Sequence, residues 1–264
     1  MAKLEVIAQN FHIYDGDGLD QYARTGEISL EHLYNAGAQG VILGHSEIND
    51  NPATVNKKLL FLHQKRKKGL SLDKNTVLIG ETWDEFNSRS IEEVAEAVKS
   101  KCELIFKNAR PEFLSETIIG YEPKWGSYGS GRDDMPPPQP VLISACISKI
   151  KEYFQEEYHN KTEPLFIYGG RSNPERTEEI LKDENISGLI LGSACRSIDE
   201  TRAIAKTIAR VRKGKKKILI CNFKAYNLAD SYENYVAELG KLDGDFTVQL
   251  APPYTDIERV KNLI

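Results

Sequence analysis

The side chains able to do chemistry lie in five short segments, and each segment directly follows an apolar run. Gly44-His45-Ser46-Glu47 follows GVIL, Glu122-Pro123-Lys124-Trp125 follows TIIGY, and Asn222-Phe223-Lys224 follows KILIC. Gly169-Gly170-Arg171-Ser172 follows PLFIY, and Gly192-Ser193-Ala194 follows GLIL. A lone histidine or glutamate after a strand is usually structural. One histidine, two glutamates and a lysine beside two small-residue turns form a set, and the set suits proton transfer next to a carbonyl. A carboxylate removes the carbon-bound proton. A neutral imidazole and an ammonium polarise the carbonyl oxygen and hold the developing enediolate. Backbone N–H groups of Gly-rich turns, helped by a helix N-terminus, hold a phosphate.

These segments meet only if the runs before them share one sheet. The short, β-branched, almost continuously apolar runs are residues 4–9, 40–43, 76–79, 117–121, 164–168, 188–191, 217–221 and 246–250. They read as strands buried on both faces. Helical periodicity lies between them, at 30–36, 53–68, 91–101, 141–158, 198–211, 232–239 and 255–263, with one more helix opening at Asn173-Pro174. Strict alternation predicts a parallel sheet with helical crossovers. Eight units in 264 residues fit a closed (β/α)8 TIM barrel, one domain over 1–264, with its site at the carboxyl ends of the strands. An open doubly wound sheet competes, but no Gly-x-Gly-x-x-Gly follows the first strand. The charge run KGKKK at 213–217 reads as a solvated helix-to-strand turn.

Composition excludes other classes. Apolar residues make up 40% and charged residues 28%, ordinary globular values that exclude disordered and fibrous chains. The 35 basic and 39 acidic residues leave a net charge of −4, which argues against a general nucleic-acid binder. No apolar run approaches the roughly 18 residues of a membrane span. The opening MAKLEVIAQNF has no signal-peptide core, and the four dispersed cysteines form neither a zinc motif nor a disulfide framework. A cytoplasmic protein without a metal is the expectation.

The motifs resemble those of the triosephosphate isomerase family over nearly the whole chain: AQN at 8–10, TGEIS at 25–29, GHSE at 44–47, IGET at 79–82, YEPKW at 121–125, YGGRSNP at 168–174, NFK at 222–224 and APPYTD at 251–256. YEPKW together with GHSE is highly specific; NFK alone is not. The order is rotated, because NFK and APPYTD belong to the family's first two strands and here come last. The resemblance therefore implies a circular permutant that begins at the family's third strand. It also implies interconversion of D-glyceraldehyde 3-phosphate and dihydroxyacetone phosphate, with no cofactor. Glu122 would be the base, His45 the neutral electrophile, Lys224 the electrostatic clamp, Asn222 a positioning group and Glu47 a support beside His45. Pro123, Lys124, Trp125, Gly126 and Gly131 would belong to a closing lid over 123–132. Gly129, Ser130, Gly170, Arg171, Gly192 and Ser193 would form the phosphate cradle. A homodimer would form through the loop from Phe11 to Thr25, with Thr25 reaching a neighbour's site.

Departures from the family pattern gather around the phosphate and the dimer loop. Arg171 stands where the family has Ser, and either adds a bidentate phosphate contact or points to solvent. Ser193 replaces a Gly, Ile48 replaces the Arg after GHSE, and the lid is about one residue longer. The 11–24 loop is also longer, and its DGDGLD stretch lacks the spacing and closing Glu of a calcium loop. Three other readings compete. They are an aldose-ketose isomerase for another small sugar phosphate, a Schiff-base aldolase using Lys224, and a catalytically inert barrel that binds a phosphorylated metabolite.

Overall fold

The computed structural model describes residues 1–13, 25–159, 161 and 164–264. Its strands are β1 (Lys3–Val6), β2 (Ile42–Leu43), β3 (Thr76–Ile79), β4 (Ile118–Tyr121), β5 (Leu165–Gly169), β6 (Ile186–Leu191), β7 (Lys217–Asn222) and β8 (Phe246–Ala251). All pair in parallel, in the order β1-β8-β7-β6-β5-β4-β3-β2. Beyond β1, Ala8 bridges to Val41, and the Ile42 N–H donates to the Ala8 carbonyl at 2.9 Å. This bridge joins the two ends of the sheet and closes the (β/α)8 barrel.

The period-2 alternation of each strand sorts its side chains into two layers. Ile7, Ile42, Leu78, Ile118, Ile167 and Ile190 belong to a cluster inside the barrel. Val77, Ile79, Ile119 and Leu189 face outward into a larger core shared with the helices. At the end where the strands begin, the interior turns polar. Gln249 Nε2 donates to Glu5 at 3.0 Å, and Gln249 Oε1 accepts the Thr76 hydroxyl at 3.2 Å.

The helices are α1 (Leu30–Asn35), α2 (Pro52–Lys67), α3 (Trp83–Phe86), α4 (Ile91–Ile105), α5 (Pro140–Tyr158), α6 (Pro174–Ile180), α7 (Ile198–Val211), α8 (Tyr232–Gly240) and α9 (Ile257–Lys261). Their starts follow capping chemistry. Asn51 and Asn173 each accept an N–H at 2.8 Å, with Pro at the first helical position. Thr82 and Ser90 form capping boxes with Glu85 and Glu93.

β1 ends at Val6 rather than 9 and β2 starts at Ile42 rather than 40, and three further differences from the sequence expectation lie in the helices. α4 runs a turn past residue 101, because Cys102 and Ile105 continue the buried stripe of Val94, Ala95 and Val98. α3 has no counterpart in the sequence reading; its single turn is shorter than a periodicity window. The expected helix at 255–263 begins as a 3-10 turn, Tyr254–Asp256, and narrows to α9.

Candidate active site

Each candidate side chain leaves the carboxyl end of a strand. Glu122 follows β4, and its N–H donates to the Ile79 carbonyl at 2.8 Å, extending the ladder by one residue. A Cβ on Gly80 would lie 1.9 Å from the Glu122 carbonyl oxygen, so only glycine lets these two strand ends approach. The Glu122 side chain is 5% exposed. Its Oε2 accepts the Ser46 N–H at 2.9 Å, and its Oε1 lies 3.5 Å from His45 Nε2.

His45 follows β2 and is buried. Its Nδ1 accepts the Glu47 N–H at 3.1 Å, so that nitrogen presents a lone pair and the ring proton sits on Nε2. The imidazole is thus neutral, with its N–H turned toward Glu122. The loop that carries it is tied down by Lys58 of α2. The buried Lys58 ammonium meets Asp50 at 2.6 Å and Asn10 at 2.9 Å.

Asn222 ends β7, and its Oδ1 accepts the Lys224 N–H at 3.1 Å. Lys224 has φ +49°, a left-handed conformation that a side chain disfavours. Gln9 holds it there, donating from Nε2 to the carbonyls of Lys224 at 2.9 Å and Ala251 at 3.0 Å. The Lys224 ammonium pairs with the Glu47 carboxylate and stands 5.6 Å from the centre of the Tyr226 ring. Burial pulls the Lys224 pKa down, but the hydrogen bond and charge of Glu47 outweigh it and leave the pKa above the ordinary lysine value. Lys224 therefore enters the cleft as a fixed cation.

One cleft is lined by His45, Glu122, Asn222 and Lys224 together with Gly170, Arg171, Gly192 and Ser193. The structure thus gathers four of the five expected catalytic residues and four of the six expected cradle residues on its wall. Glu47 reaches the cleft through Lys224. Gly129 and Ser130 stand elsewhere on the lid. The Gly129 N–H donates to the Asp133 carboxylate at 2.8 Å, and the Ser130 hydroxyl to the Trp125 carbonyl at 3.2 Å. Ser127 and Tyr128 line the cleft instead. Gly131 is exposed, as is most of the lid's tip. Arg171 does not point to solvent; it is 8% exposed.

The root of the lid is anchored by a residue to which the sequence reading gave no role. Glu81, fully buried after β3, accepts the Trp125 indole N–H at 2.8 Å and the Tyr121 hydroxyl at 3.1 Å through one oxygen. The Lys124 N–H donates to the Glu81 carbonyl at 2.9 Å, and Trp125 stacks on Phe86 of α3 with ring centres 4.3 Å apart. Pro123 and Gly126 are buried beside them. Burial raises the Glu81 pKa against the pull of these hydrogen bonds. Glu81 lies just past the run at 76–79, so the rule that found His45 and Glu122 also points to it; Gln9 is the last residue of the run at 4–9. Among the described residues, no group of three or more His, Cys, Asp or Glu side chains could hold a metal ion. Residues 14–24, which include the DGDGLD stretch and most of the loop from Phe11 to Thr25, lie outside the described residues; Thr25 itself is exposed.

The family model for triosephosphate isomerase matches residues 1–208. The triosephosphate isomerase of Protochlamydia amoebophila is 32% identical over 199 residues, covering 75% of this chain and 70% of that protein. That of Alkaliphilus metalliredigens is 31% identical over 209 residues, 75% of each chain. That of Mycoplasma mobile is 32% identical over 203 residues, 75% of this chain and 73% of its own. By this match and this coverage, the chain belongs to the triosephosphate isomerase family.

Proposed function

We propose that this protein interconverts D-glyceraldehyde 3-phosphate and dihydroxyacetone phosphate by proton transfer through an enediolate. The observation that carries the reading is the convergence of a carboxylate, a neutral imidazole N–H and a fixed ammonium on one cleft beside Gly-rich turns. Glu122 takes the proton from the carbon next to the carbonyl and returns it to the neighbouring carbon. The His45 Nε2–H donates to the carbonyl oxygen as negative charge develops there, and Lys224 stabilises that charge. Asn222 and Gln9 hold Lys224 in place. Backbone N–H groups near Gly170, Gly192 and Ser193 receive the phosphate, with Gly129 and Ser130 joining when the lid closes. Pro123, Lys124, Trp125, Gly126 and Gly131 form the parts of that lid.

The test is isomerase turnover on D-glyceraldehyde 3-phosphate, with Glu122→Gln purified in parallel. Turnover in the parent, and a loss of about 10²-fold or more in the variant, is the expected result. A folded, inactive parent overturns it. Arg171 and Ser193 favour a second reading, isomerisation of another small sugar phosphate, and a panel of aldose and ketose phosphates separates the two. A Schiff-base aldolase would need a neutral amine, and Glu47 holds Lys224 protonated.

Three finer points belong to the same reading. The chain works as a single barrel in circularly permuted order: the family match ends at residue 208, and β7 and β8 after it carry NFK and APPYTD. It acts as a homodimer through the loop from Phe11 to Thr25, which sedimentation of the purified protein tests. It resides in the cytoplasm, as four buried free cysteines suit, and none of its described helices is long and apolar enough to cross a membrane.

A further inference from the structure

Among the described residues, Arg171 and Lys224 are the basic side chains that line the cleft, and the partners of Arg171 are unusual. Nε donates to the Gly126 carbonyl at 3.3 Å, and Nη1 donates to the carbonyls of Asp133 at 3.3 Å and Met135 at 2.7 Å. Its backbone N–H also donates to Gly126, at 3.1 Å. One guanidinium thus grips the lid at both ends, Gly126 on the near side and Asp133 to Met135 on the far side. Arg176 adds to the grip, donating from Nε to the Arg171 carbonyl at 2.9 Å and from Nη2 to the Pro138 carbonyl. The exposed ring of Tyr128, itself on the lid, stands 5.7 Å from the guanidinium.

Every partner of the Arg171 side chain among the described residues is a neutral carbonyl or a ring. Among the described residues no carboxylate pairs with it, although it is 8% exposed. Asp133, whose carbonyl accepts from Arg171, spends its carboxylate on the Gly129 N–H. Nη2 is buried and has no hydrogen-bond partner among the described residues. A buried cation normally has a counter-ion, because leaving one unpaired is costly. Arg171 lines the same cleft as His45, Glu122, Gly192 and Ser193, where the proposed substrate's phosphate would sit.

We propose that Arg171 is a phosphate-reading residue, one whose guanidinium binds the substrate's phosphate while it holds both ends of the lid. This rests on the reading that a sugar phosphate occupies the cleft. The phosphate supplies the missing counter-ion, and a charge-assisted N–H···O bond from guanidinium to phosphate is among the stronger polar contacts available. The same side chain then couples occupancy of the phosphate site to the seating of the lid, because both depend on one planar group.

The experiment compares the parent with Arg171→Gln and Arg171→Lys, using inorganic phosphate as the probe. Phosphate binding is read by calorimetry and by the rise it causes in the melting temperature. In Arg171→Gln phosphate binding is expected to weaken about tenfold to a hundredfold, and the thermal shift to shrink with it. In parallel, kcat/KM is measured on D-glyceraldehyde 3-phosphate and on D-glyceraldehyde, which has no phosphate. The ratio of the two is expected to fall tenfold or more, since a residue that only supported the fold would reduce both alike. Unchanged phosphate binding, or an unchanged ratio, overturns the proposal. If Arg171→Gln does not fold, Arg171→Lys carries the same test, because one ammonium cannot serve three carbonyls and a phosphate. If the parent does not turn over D-glyceraldehyde 3-phosphate, the proposed activity fails. An Arg171-dependent loss of phosphate binding would still support the assignment of this residue.

Discussion

Glu122 sits between two donors, the Ser46 N–H at 2.9 Å and the His45 Nε2–H at 3.5 Å. Reach therefore decides its chemistry. Glu122→Asp keeps the carboxylate but draws it back by about 1 Å, and a displacement of that size costs on the order of 10²-fold in turnover. Steady-state kinetics on D-glyceraldehyde 3-phosphate should show the fall in kcat with KM changed only a few-fold; an unchanged kcat removes Glu122 from the role of base. Gln9 acts at one remove. Its amide spans two carbonyls and keeps Lys224 at φ +49°, a conformation that costs about 1–3 kcal/mol to hold. Gln9→Ala lets that residue relax, and kcat should drop about tenfold while the melting temperature moves little. An equal loss of stability would assign Gln9 to the fold instead. His45, Glu122, Asn222 and Lys224 were legible in the sequence because each follows a strand-like run. The roles of Gln9 and Glu81 were not, because they depend on partners far along the chain, such as Lys224 for Gln9 and Trp125 for Glu81.

Helix α2 shows how an element carries both site and pH dependence. On one side its Lys58 fixes the His45 loop. On another, His63 is buried with both ring nitrogens unpartnered among the described residues and stacks on Phe113 with ring centres 4.7 Å apart. Burial, and then the charge of Arg66, lower its pKa to about 4 from 6.5. The unfolded chain therefore binds this proton more readily than the folded one between those values. Stability should be full above pH 6.5 and fall as the pH drops toward 4. Glu81 has the opposite sign: burial raises its pKa, so its contribution declines as pH rises through its own range. His63→Leu removes the first slope and leaves the second. Urea midpoints at pH 7 and pH 5 should differ less in the variant than in the parent; an equal drop in both would show that His63 does not titrate on unfolding. Periodicity displayed α2 and most other elements to within a few residues. It could not display the lid, whose order rests on backbone carbonyls and on single contacts such as Gly129 to Asp133.

At the scale of the molecule, the barrel is a ring of units whose contacts do not depend on where the chain is cut. The alternation of runs made eight βα units legible; the closure between Ala8 and Val41 was not, since it is one bridge beyond the end of β1. β1 lies beside β8, and both α8 and α9 pack against β1. Five residues, 212–216, join α7 to β7. Residues 262–264 together with 1–2 would make a five-residue join from α9 to β1. Exchanging one such loop for another of equal length changes closure entropy by less than about 0.6 kcal/mol. A chain reopened after Gly214, with residues 215–264 placed ahead of Met1, should therefore fold to the same barrel. It would also carry NFK and APPYTD ahead of AQN, the order that the resemblance assigns to the family. Circular dichroism, the urea midpoint and turnover on D-glyceraldehyde 3-phosphate would all be measured. Equal spectra and turnover within a few-fold of the parent are expected, because Lys224, Asn222 and Gln9 meet across β7, β8 and β1 in either order. An aggregated or inactive rearranged chain would mean that the present order is required for folding, and that the two ends of the barrel are not interchangeable with its internal joints.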